Sequence, residues 1–230
     1  MEINIGIIGG MGPKATNQFL DRITELTDAA NDQEHVRYIL YSDPAIPDRI
    51  GAYFNGTKSP VDAINKGIDF LERNGITTIA IPCNTAHIWF SEFKAGVNLL
   101  NMVDLTVKAI LDSGYKHPGF LATTATIKSR LYIKNLEEAG ISAIIPEQED
   151  TVMQAVKLVK LGEISRAKAT LKPVVKELED NGSDSIIMAC TEIPVILNRE
   201  DTELPLIDSD RILAEKIILS AGKRLKPYNK

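Results

Sequence analysis

The feature that most constrains the fold of this 230-residue chain is an internal repeat at an offset of 107 residues. In each copy a helical pattern ends at an Asn-Gly pair and a β-branched strand follows, because glycine suits the position after a helix. The matching positions are Leu71-Glu72, Asn74-Gly75 and Ile79 in the first copy, and Leu178-Glu179, Asn181-Gly182 and Ile186 in the second. The repeat favours a duplicated structure, although helix–turn–strand units are common enough for chance to remain an alternative.

Short β-branched segments alternate with helical patterns along the chain. The predicted strands are Ile3–Ile8, Val36–Tyr41, Thr77–Ile81, Val97–Leu100, His117–Ala122, Ile141–Ile145, Ser185–Ala189 and Leu204–Ile207. The predicted helices include Val61–Arg73, Thr126–Ala139, Ile164–Asp180 and Arg211–Leu225. This alternation is typical of parallel sheets covered by helices on both faces. We therefore predict an α/β fold with two similar three-layer domains, the first at 1–103 plus the C-terminal segment 211–230, and the second at 104–210.

Charge and hydropathy exclude several classes of protein. The net charge is −5 and the isoelectric point is about 5.3, which gives no basic footprint for nucleic acid. No apolar run approaches the ~20 residues that span a bilayer, and the N-terminus lacks the basic segment of a signal peptide. We expect a cytoplasmic protein whose two distant cysteines remain reduced and form no disulfide framework.

Cys83 and Cys190 are the only cysteines, and they also lie 107 residues apart. Each follows a predicted buried strand, at the edge where parallel sheets bind ligands. Each also precedes a predicted helix, whose N-terminus would favour a thiolate. Asn84, Thr85 and Thr191 add short polar groups at the same turns.

Two equivalent thiols suit a reaction that inverts a carbon centre. One thiolate removes a proton from one face while a thiol returns a proton to the other face, and the roles exchange for the opposite enantiomer. Two other interpretations exist. Free cysteines are often small buried apolar residues. Cys83 and His87 lie four residues apart and could share a zinc ion, but structural zinc needs four ligands, so no metal is predicted.

The segment Gly9-Gly10-Met11-Gly12-Pro13 follows the first predicted strand. It fits a loose dinucleotide fingerprint, but the acidic residue expected about twenty residues later is missing, since Asp43 lies more than thirty residues from Gly10. An anion-binding cradle of backbone N–H groups and a tight turn that needs glycine for packing are the alternatives. Downstream, Arg49 lies in a proline-rich loop and offers a bidentate fork for a carboxylate.

Five motifs occur in the order found in the aspartate/glutamate racemase family. They are Gly9-Gly10-Met11-Gly12-Pro13, Pro44 to Arg49, Pro82-Cys83-Asn84-Thr85-Ala86-His87, Ala122-Thr123-Thr124 and Ala189-Cys190-Thr191-Glu192. The chain resembles this family from Ile3 to about Leu219, and within it the aspartate racemases most.

The resemblance implies racemisation of aspartate without pyridoxal phosphate or any other cofactor. Cys83 and Cys190 match the family's two bases. It also implies a pseudo-two-fold pair of domains with the active site in the cleft between them, and a homodimer. The implied substrate-binding residues are Met11, Gly12, Arg49, Asn84, Thr85, Thr124, Lys160, Thr191 and Glu192.

Other functions remain possible at this stage. The same family includes glutamate and broad-specificity amino-acid racemases, and a cis–trans isomerase of dicarboxylic acids could use the same scaffold. The glycine segment leaves a dinucleotide-binding oxidoreductase as an alternative, and a binding site without catalysis would make the chain an amino-acid sensor. Exchange of the substrate's α-proton with solvent distinguishes a racemase from all of these.

Overall fold

The computed structural model describes residues 3–227 and contains two parallel β-sheets. The chain divides into two compact units. Unit 1 comprises Met1–Pro82, Trp89–Met102 and Asp210–Lys230, and unit 2 comprises Cys83–Ile88 and Val103–Ser209. Residues 228–230 of the predicted C-terminal segment lie outside the described residues. The α/β class with parallel sheets is confirmed.

Unit 1 contains the four-stranded sheet, with strand order β2-β1-β3-β4. Its strands are β1 (Ile5–Gly9), β2 (Tyr38–Ser42), β3 (Thr78–Ala80) and β4 (Asn98–Leu99). Its helices are α1 (Pro13–Leu26), α2 (Arg49–Asn55), α3 (Val61–Arg73) and, apart from its first residue, α9 (Ser209–Ser220). Strand β1 lies at the centre and is buried throughout, which explains its run of isoleucines and glycines.

Unit 2 contains a three-stranded parallel sheet with strand order β5-β6-β7. Its strands are β5 (Pro118–Ala122), β6 (Ser185–Ala189) and β7 (Leu206–Asp208). Its helices are α4 (Met102–Ser113, from its second residue on), α5 (Thr124–Lys128), α6 (Ile133–Glu138), α7 (Glu149–Lys160) and α8 (Ile164–Asp180). The apolar faces of α7 and α8 form the core of this unit with β6.

The pairing register repeats at the offset that the sequence predicts. In unit 1, Ile79 of β3 pairs with Leu99 of β4. In unit 2, Ile186 of β6 pairs with Leu206 of β7. Both positions differ by 107 residues, so the sequence repeat corresponds to a repeat of strand pairing.

A glycine in the first strand of each sheet packs against the repeated helix. A Cβ atom on Gly6 would lie 2.8 Å from Cδ1 of Leu71, and one on Gly119 would lie 2.9 Å from Cδ1 of Leu178. Real Cβ atoms do not approach other atoms so closely, so each strand needs glycine for the helix to reach it. Leu71 and Leu178 are themselves equivalent in the repeat, and the two sheets therefore share one mode of helix–strand packing.

The end of the described chain completes unit 1. Thr27 and Leu225 form an antiparallel bridge, and two backbone hydrogen bonds flank it, from Asp28 N to Arg224 O at 2.9 Å and from Lys226 N to Leu26 O at 2.8 Å. Unit 1 is thus assembled from both ends of the sequence.

Two predicted elements differ from the structure within unit 2. The predicted helix Thr126–Ala139 is instead two short helices, α5 and α6, separated by Arg130 with a positive φ of 57°. The predicted strand Ile141–Ile145 forms only one parallel bridge, between Ile144 and Gly119. Pro146 follows at once and has no N–H with which to continue the ladder.

The C-terminal helix is shorter than the predicted Arg211–Leu225. Helix α9 ends at Ser220, and Gly222 follows with a φ of 70°. The N–H groups of Gly222 and Lys223 bond to the carbonyls of Leu219 and Ile218, which is the hydrogen-bond pattern of a Schellman ending. Among residues 3–227, no helix has both the length and the apolar character needed to cross a bilayer.

Candidate active site

Cys83 lies in a buried turn beyond the end of β3. All three residues of β3 are buried, and Cys83 itself is 6% exposed. A 3-10 segment, Asn84–Glu92, follows at once and is kinked at Trp89. Nδ1 of His87 donates a hydrogen bond of 2.9 Å to the carbonyl oxygen of Cys83, so His87 holds its own turn in place.

The side chain of Asn84 is fixed by two buried partners. The phenolic hydroxyl of Tyr132 donates a hydrogen bond to Oδ1 of Asn84. Nδ2 of Asn84 donates to Oγ of Ser209 at 3.1 Å, and Oγ of Ser209 in turn donates to the carbonyl oxygen of Met188 at 2.8 Å. The residue after Cys83 is therefore connected to β6, the strand that precedes Cys190.

Thr85 forms a second buried link, to the end of β5. Its hydroxyl lies 3.0 Å from the hydroxyl of Thr123 and 3.2 Å from that of Thr126. The hydroxyls of Thr123 and Thr126 are 2.9 Å apart. Three hydroxyls can satisfy one another in this way, because each both donates and accepts.

These contacts explain a difference from the predicted domain boundary. The segment Cys83–Ile88 falls within the predicted first domain, 1–103, but in the structure it groups with unit 2. The bonds of Asn84 and Thr85 to Tyr132, Thr123 and Ser209 give the physical reason, since all of these partners belong to unit 2. Both cysteines thus belong to the same unit.

Cys190 lies at the end of β6 and donates a hydrogen bond to a carboxylate. Strand β6 is buried throughout, and Cys190 is 4% exposed. Sγ of Cys190 lies 3.1 Å from Oε2 of Glu192. The hydroxyl of Thr191 donates to the same carboxylate oxygen at 3.3 Å.

The other oxygen of Glu192 faces Lys160, the last residue of α7. Nζ of Lys160 is 3.9 Å from Oε1 of Glu192, and the side chains are 45% and 8% exposed, respectively. The half-exposed ammonium group is therefore near the buried carboxylate that contacts Cys190.

Burial raises the pKa of the Cys190 thiol well above its usual value, and the negative charge of Glu192 raises this pKa further. Cys190 is therefore a protonated thiol at neutral pH. The expectation that a helix N-terminus favours a thiolate is wrong for this residue. Only a three-residue 3-10 helix, Ile193–Val195, follows it, and so short a segment carries little dipole.

The glycine segment after β1 combines tight packing with one open position. A Cβ atom on Gly9 would lie 2.4 Å from Cγ2 of Thr16, and one on Gly10 would lie 2.5 Å from the backbone of Asp43. The tight-turn interpretation therefore accounts for both glycines. Gly12, at the N-cap of α1, has no atom within 4 Å of its virtual Cβ, so packing does not explain it. Met11 is buried.

Arg49 is the first residue of α2, and Asp48 caps this helix by accepting a hydrogen bond from Gly51 N at 2.6 Å. Nη1 of Arg49 donates to the carbonyl oxygens of Ile46 and Pro47 at 3.4 and 3.2 Å. These bonds turn the guanidinium group back over its own loop. Met11, Gly12 and Arg49 all belong to unit 1.

The family model described as Asp/Glu/Hydantoin racemase matches residues 8–217. The chain belongs to this family. The expectation of a racemase is thereby confirmed at the level of the family, which is a family of isomerases.

Three similar proteins refine this assignment. The structure of an aspartate racemase from Picrophilus torridus is 50% identical, with a TM-score of 0.93 over 97% of this chain and 96% of the other. The broad specificity amino-acid racemase RacX of Bacillus subtilis is 31% identical over 228 residues, which cover 93% of this chain and 96% of RacX. The glutamate racemase of Campylobacter jejuni is 23% identical, with a TM-score of 0.68 over 98% and 88% of the two chains, and it supports the fold alone.

The structure brings most of the predicted site residues of this racemase together within unit 2. Asn84 and Thr85 follow Cys83, while Thr191 and Glu192 follow Cys190 and contact each other. Thr124 begins α5 directly after Thr123, and its backbone N–H faces the sulfur of Met153 at 3.5 Å. Among residues 3–227, no group of three or more His, Cys, Asp and Glu side chains could hold a metal ion.

Tyr132, Thr126 and Ser209 were not predicted as part of the site. Their partners lie 38 to 125 residues away in the sequence, so no local pattern identifies them. Tyr132 occurs in an apolar helical pattern, where it is indistinguishable from an ordinary core aromatic residue.

Proposed function

We propose that this protein interconverts L- and D-aspartate, with Cys83 and Cys190 as the two proton-transferring groups. The observation that carries the choice of substrate is the 50% identity to the Picrophilus torridus aspartate racemase over nearly the whole chain. The link between the two cysteine turns, through Asn84, Ser209 and the carbonyl of Met188, supports a common site for both thiols.

The proposed reaction conserves protons at every step. In one direction the thiolate of Cys83 takes the α-proton, so a C–H bond breaks and an S–H bond forms. The S–H group of Cys190 then delivers its proton to the opposite face of the planar carbanion. No electron leaves the substrate, so no redox cofactor is needed. Proton transfers by positioned groups of this kind contribute about 10²- to 10⁴-fold in rate.

Glu192 has a defined role in this scheme. Its carboxylate accepts the hydrogen bond of the Cys190 thiol and keeps Cys190 protonated by raising its pKa. Cys190 is therefore ready to donate a proton, and Cys83 is assigned the first deprotonation. After the transfer, the thiolate of Cys190 faces a carboxylate, which favours its prompt reprotonation.

The remaining residues are assigned to the two carboxylates and the amine of aspartate. Asn84, Thr85, Thr124 and Thr191, with the backbone of Met11 and Gly12, provide short polar groups for the α-carboxylate and the amine. The open space beside Gly12 supports a ligand at that position.

Arg49 and Lys160 are assigned to the side-chain carboxylate, because a fork of N–H donors and an ammonium group both match it. The position of Lys160 near Glu192, two residues after Cys190, supports its share in this role. We further propose that the protein works as a cytoplasmic homodimer, which light scattering tests.

Proton NMR in deuterated water tests the proposed reaction. Purified protein with no added cofactor should exchange the α-proton of L-aspartate and D-aspartate, and chiral chromatography should show both converging on a racemic mixture. Arg49→Lys keeps the charge but removes the fork, and kcat/KM for aspartate should fall about 10-fold or more. Absence of α-proton exchange with any amino acid would show that the protein is not a racemase.

A racemase with broad specificity is the second candidate, favoured by the 31% identity to RacX. The same exchange screen, extended to amino acids with neutral side chains, distinguishes the two. Exchange limited to aspartate and glutamate supports a dicarboxylate site, and discrimination between those two rests on one methylene, about 1–3 kcal/mol. Equal exchange of alanine, serine and aspartate would favour the second candidate.

A further inference from the structure

We infer that Tyr132 and Ser209 are positioning residues that fix the side-chain amide of Asn84 in one orientation and tie the Cys83 turn to the strand that leads to Cys190. We call the set Tyr132, Asn84, Ser209 and the carbonyl of Met188 the amide brace. Its catalytic consequence rests on the proposed function, whereas its structural consequence does not.

The amide brace is a continuous and buried chain of hydrogen bonds. The Tyr132 hydroxyl donates to Asn84 Oδ1, Asn84 Nδ2 donates to Ser209 Oγ at 3.1 Å, and Ser209 Oγ donates to Met188 O at 2.8 Å. Tyr132 and Ser209 are fully buried, and Asn84 is 2% exposed. Water therefore does not compete for these groups.

Every bond in the brace points in the same direction, and this direction determines the orientation of the amide. The backbone carbonyl of Met188 can only accept, so it takes the hydroxyl proton of Ser209. Ser209 Oγ then accepts from its other neighbour, which must be the N–H side of the Asn84 amide. The carbonyl side of the amide is left facing Tyr132.

Tyr132 completes the assignment from the other end. Burial raises the pKa of its phenol, so the group keeps its proton. Thr106 on α4 also forms a side-chain hydrogen bond with the phenol, and the phenol's own proton goes to Asn84. Rotating the Asn84 amide by 180° would set donor against donor at this end, and each buried polar group left unsatisfied costs about 1–3 kcal/mol.

The fixed orientation matters for the ligand of this turn. A primary amide has two N–H groups, so Asn84 can donate one to Ser209 and the other to a substrate carboxylate. With the opposite orientation the turn would present a carbonyl oxygen, which repels a carboxylate. The brace thus makes the residue next to Cys83 a hydrogen-bond donor toward an anionic substrate.

The brace also connects the two reacting turns. Asn84 is adjacent to Cys83, and Met188 lies two residues before Cys190 in a strand that is buried throughout. Proton transfer between a thiol and a carbon depends on distances of about 3–3.5 Å, and a displacement of 1 Å can cost about 10²-fold in rate. A hydrogen-bond chain across both turns holds that spacing.

Three substitutions test the brace by its effect on catalysis. Tyr132→Phe removes the donor and keeps the ring that packs on Phe120 at 5.4 Å between centroids. Ser209→Ala removes the middle hydroxyl, and Ser209→Thr restores one. We expect Tyr132→Phe and Ser209→Ala each to lower kcat/KM for both enantiomers about 10- to 100-fold, and Ser209→Thr to regain most of the loss.

The same substitutions in an Asn84→Ala background separate positioning from stability. If the brace acts through Asn84, Tyr132→Phe should cause no further loss of kcat/KM once the amide is absent. An equal loss in both backgrounds, or no loss in the wild-type background, would overturn the proposal. Tyr115→Phe, at a half-buried tyrosine of the same unit, is the matched control and should leave kcat/KM unchanged.

NMR of the side-chain amide tests the brace without any activity measurement. The Asn84 NH₂ pair is identified by its loss in Asn84→Ala and should exchange slowly with solvent in the wild-type protein. Tyr132→Phe should shift this pair and accelerate its exchange at least 10-fold. An unchanged pair would refute the brace even if racemisation is observed, whereas a protected pair in a protein without racemase activity would refute only the proposed function.

Discussion

The turns that carry Cys83 and Cys190 are equivalent in the internal repeat but differ in their electrostatics. Each follows a buried strand and leads into a 3-10 segment. The residues after Cys83 are neutral, and their side chains are engaged with Tyr132, Ser209 and two threonines. The residues after Cys190 include Glu192, whose carboxylate accepts the thiol proton.

This difference shows how a duplicated scaffold can give one thiol a proton and assign the other to remove one. A two-base reaction needs one acid and one base at any moment, and identical surroundings would not determine which is which. The carboxylate beside Cys190 stabilises the thiol form by repelling a thiolate. The amides and hydroxyls beside Cys83 exert no such repulsion.

Removal of either thiol should have the largest effect and should reveal the asymmetry. Cys83→Ala and Cys190→Ala should each reduce racemisation by about 10³-fold or more, because one face of the substrate loses its proton-transfer group. At neutral pH, α-proton exchange of one enantiomer should be faster in Cys190→Ala than exchange of either enantiomer in Cys83→Ala, because the thiol left in the latter has a raised pKa.

Proton NMR in deuterated water measures both quantities, and the double variant defines the background. Equal exchange rates in the two single variants would contradict the electrostatic difference between the turns. Racemisation at the wild-type rate in either variant would contradict the two-base reaction as a whole.

Neutralising Glu192 should have an intermediate effect, visible in the titration of Cys190. In Cys83→Ala only one cysteine remains, so iodoacetamide alkylation reports the Cys190 thiolate alone. The raised pKa places its alkylation midpoint above the ordinary value of about 8.5. Glu192→Gln removes a repelling charge, so the midpoint should fall by about one unit and alkylation at pH 8 should accelerate.

Glu200→Gln is the matched control for this titration, since Glu200 is exposed and no contact with Cys190 is assigned to it. Its midpoint should equal that of the parent variant. A midpoint that does not move in Glu192→Gln would mean that burial alone controls the thiol.

The smallest effect concerns the shared packing of the two halves. Gly6→Ala and Gly119→Ala should each lower the free energy of unfolding by about 1–3 kcal/mol, because the new methyl group displaces Leu71 or Leu178 in the core. Urea denaturation measures both, and Gly12→Ala, which meets open space, is the control. A large effect at only one of the first two glycines would show that the halves do not pack alike.

The sequence predicted the elements whose pattern is local. Helices Val61–Arg73 and Ile164–Asp180 and strand Ser185–Ala189 have the predicted bounds, because apolar periodicity and an Asn-Gly ending determine them over a short range. The cysteine turns were also found, since each stands next to a recognisable strand.

The rest depends on contacts that no local pattern encodes. The break between α5 and α6 leaves Tyr132 buried against Asn84, a residue 48 positions earlier. Ser209 reaches the same residue from 125 positions later. For the same reason the predicted boundary assigned Cys83–Ile88 to the wrong side: its strand belongs to one unit, while its side chains bond within the other.

The bridge between Thr27 and Leu225 has a consequence for synthesis on the ribosome. A chain emerges from its N-terminus, and domains generally fold in that order. Here the sheet that is translated first lacks its last helix and closing backbone bonds until the final residues leave the exit tunnel. The unit encoded in the middle of the gene has all of its residues earlier, so the nascent chain can finish its second half before its first.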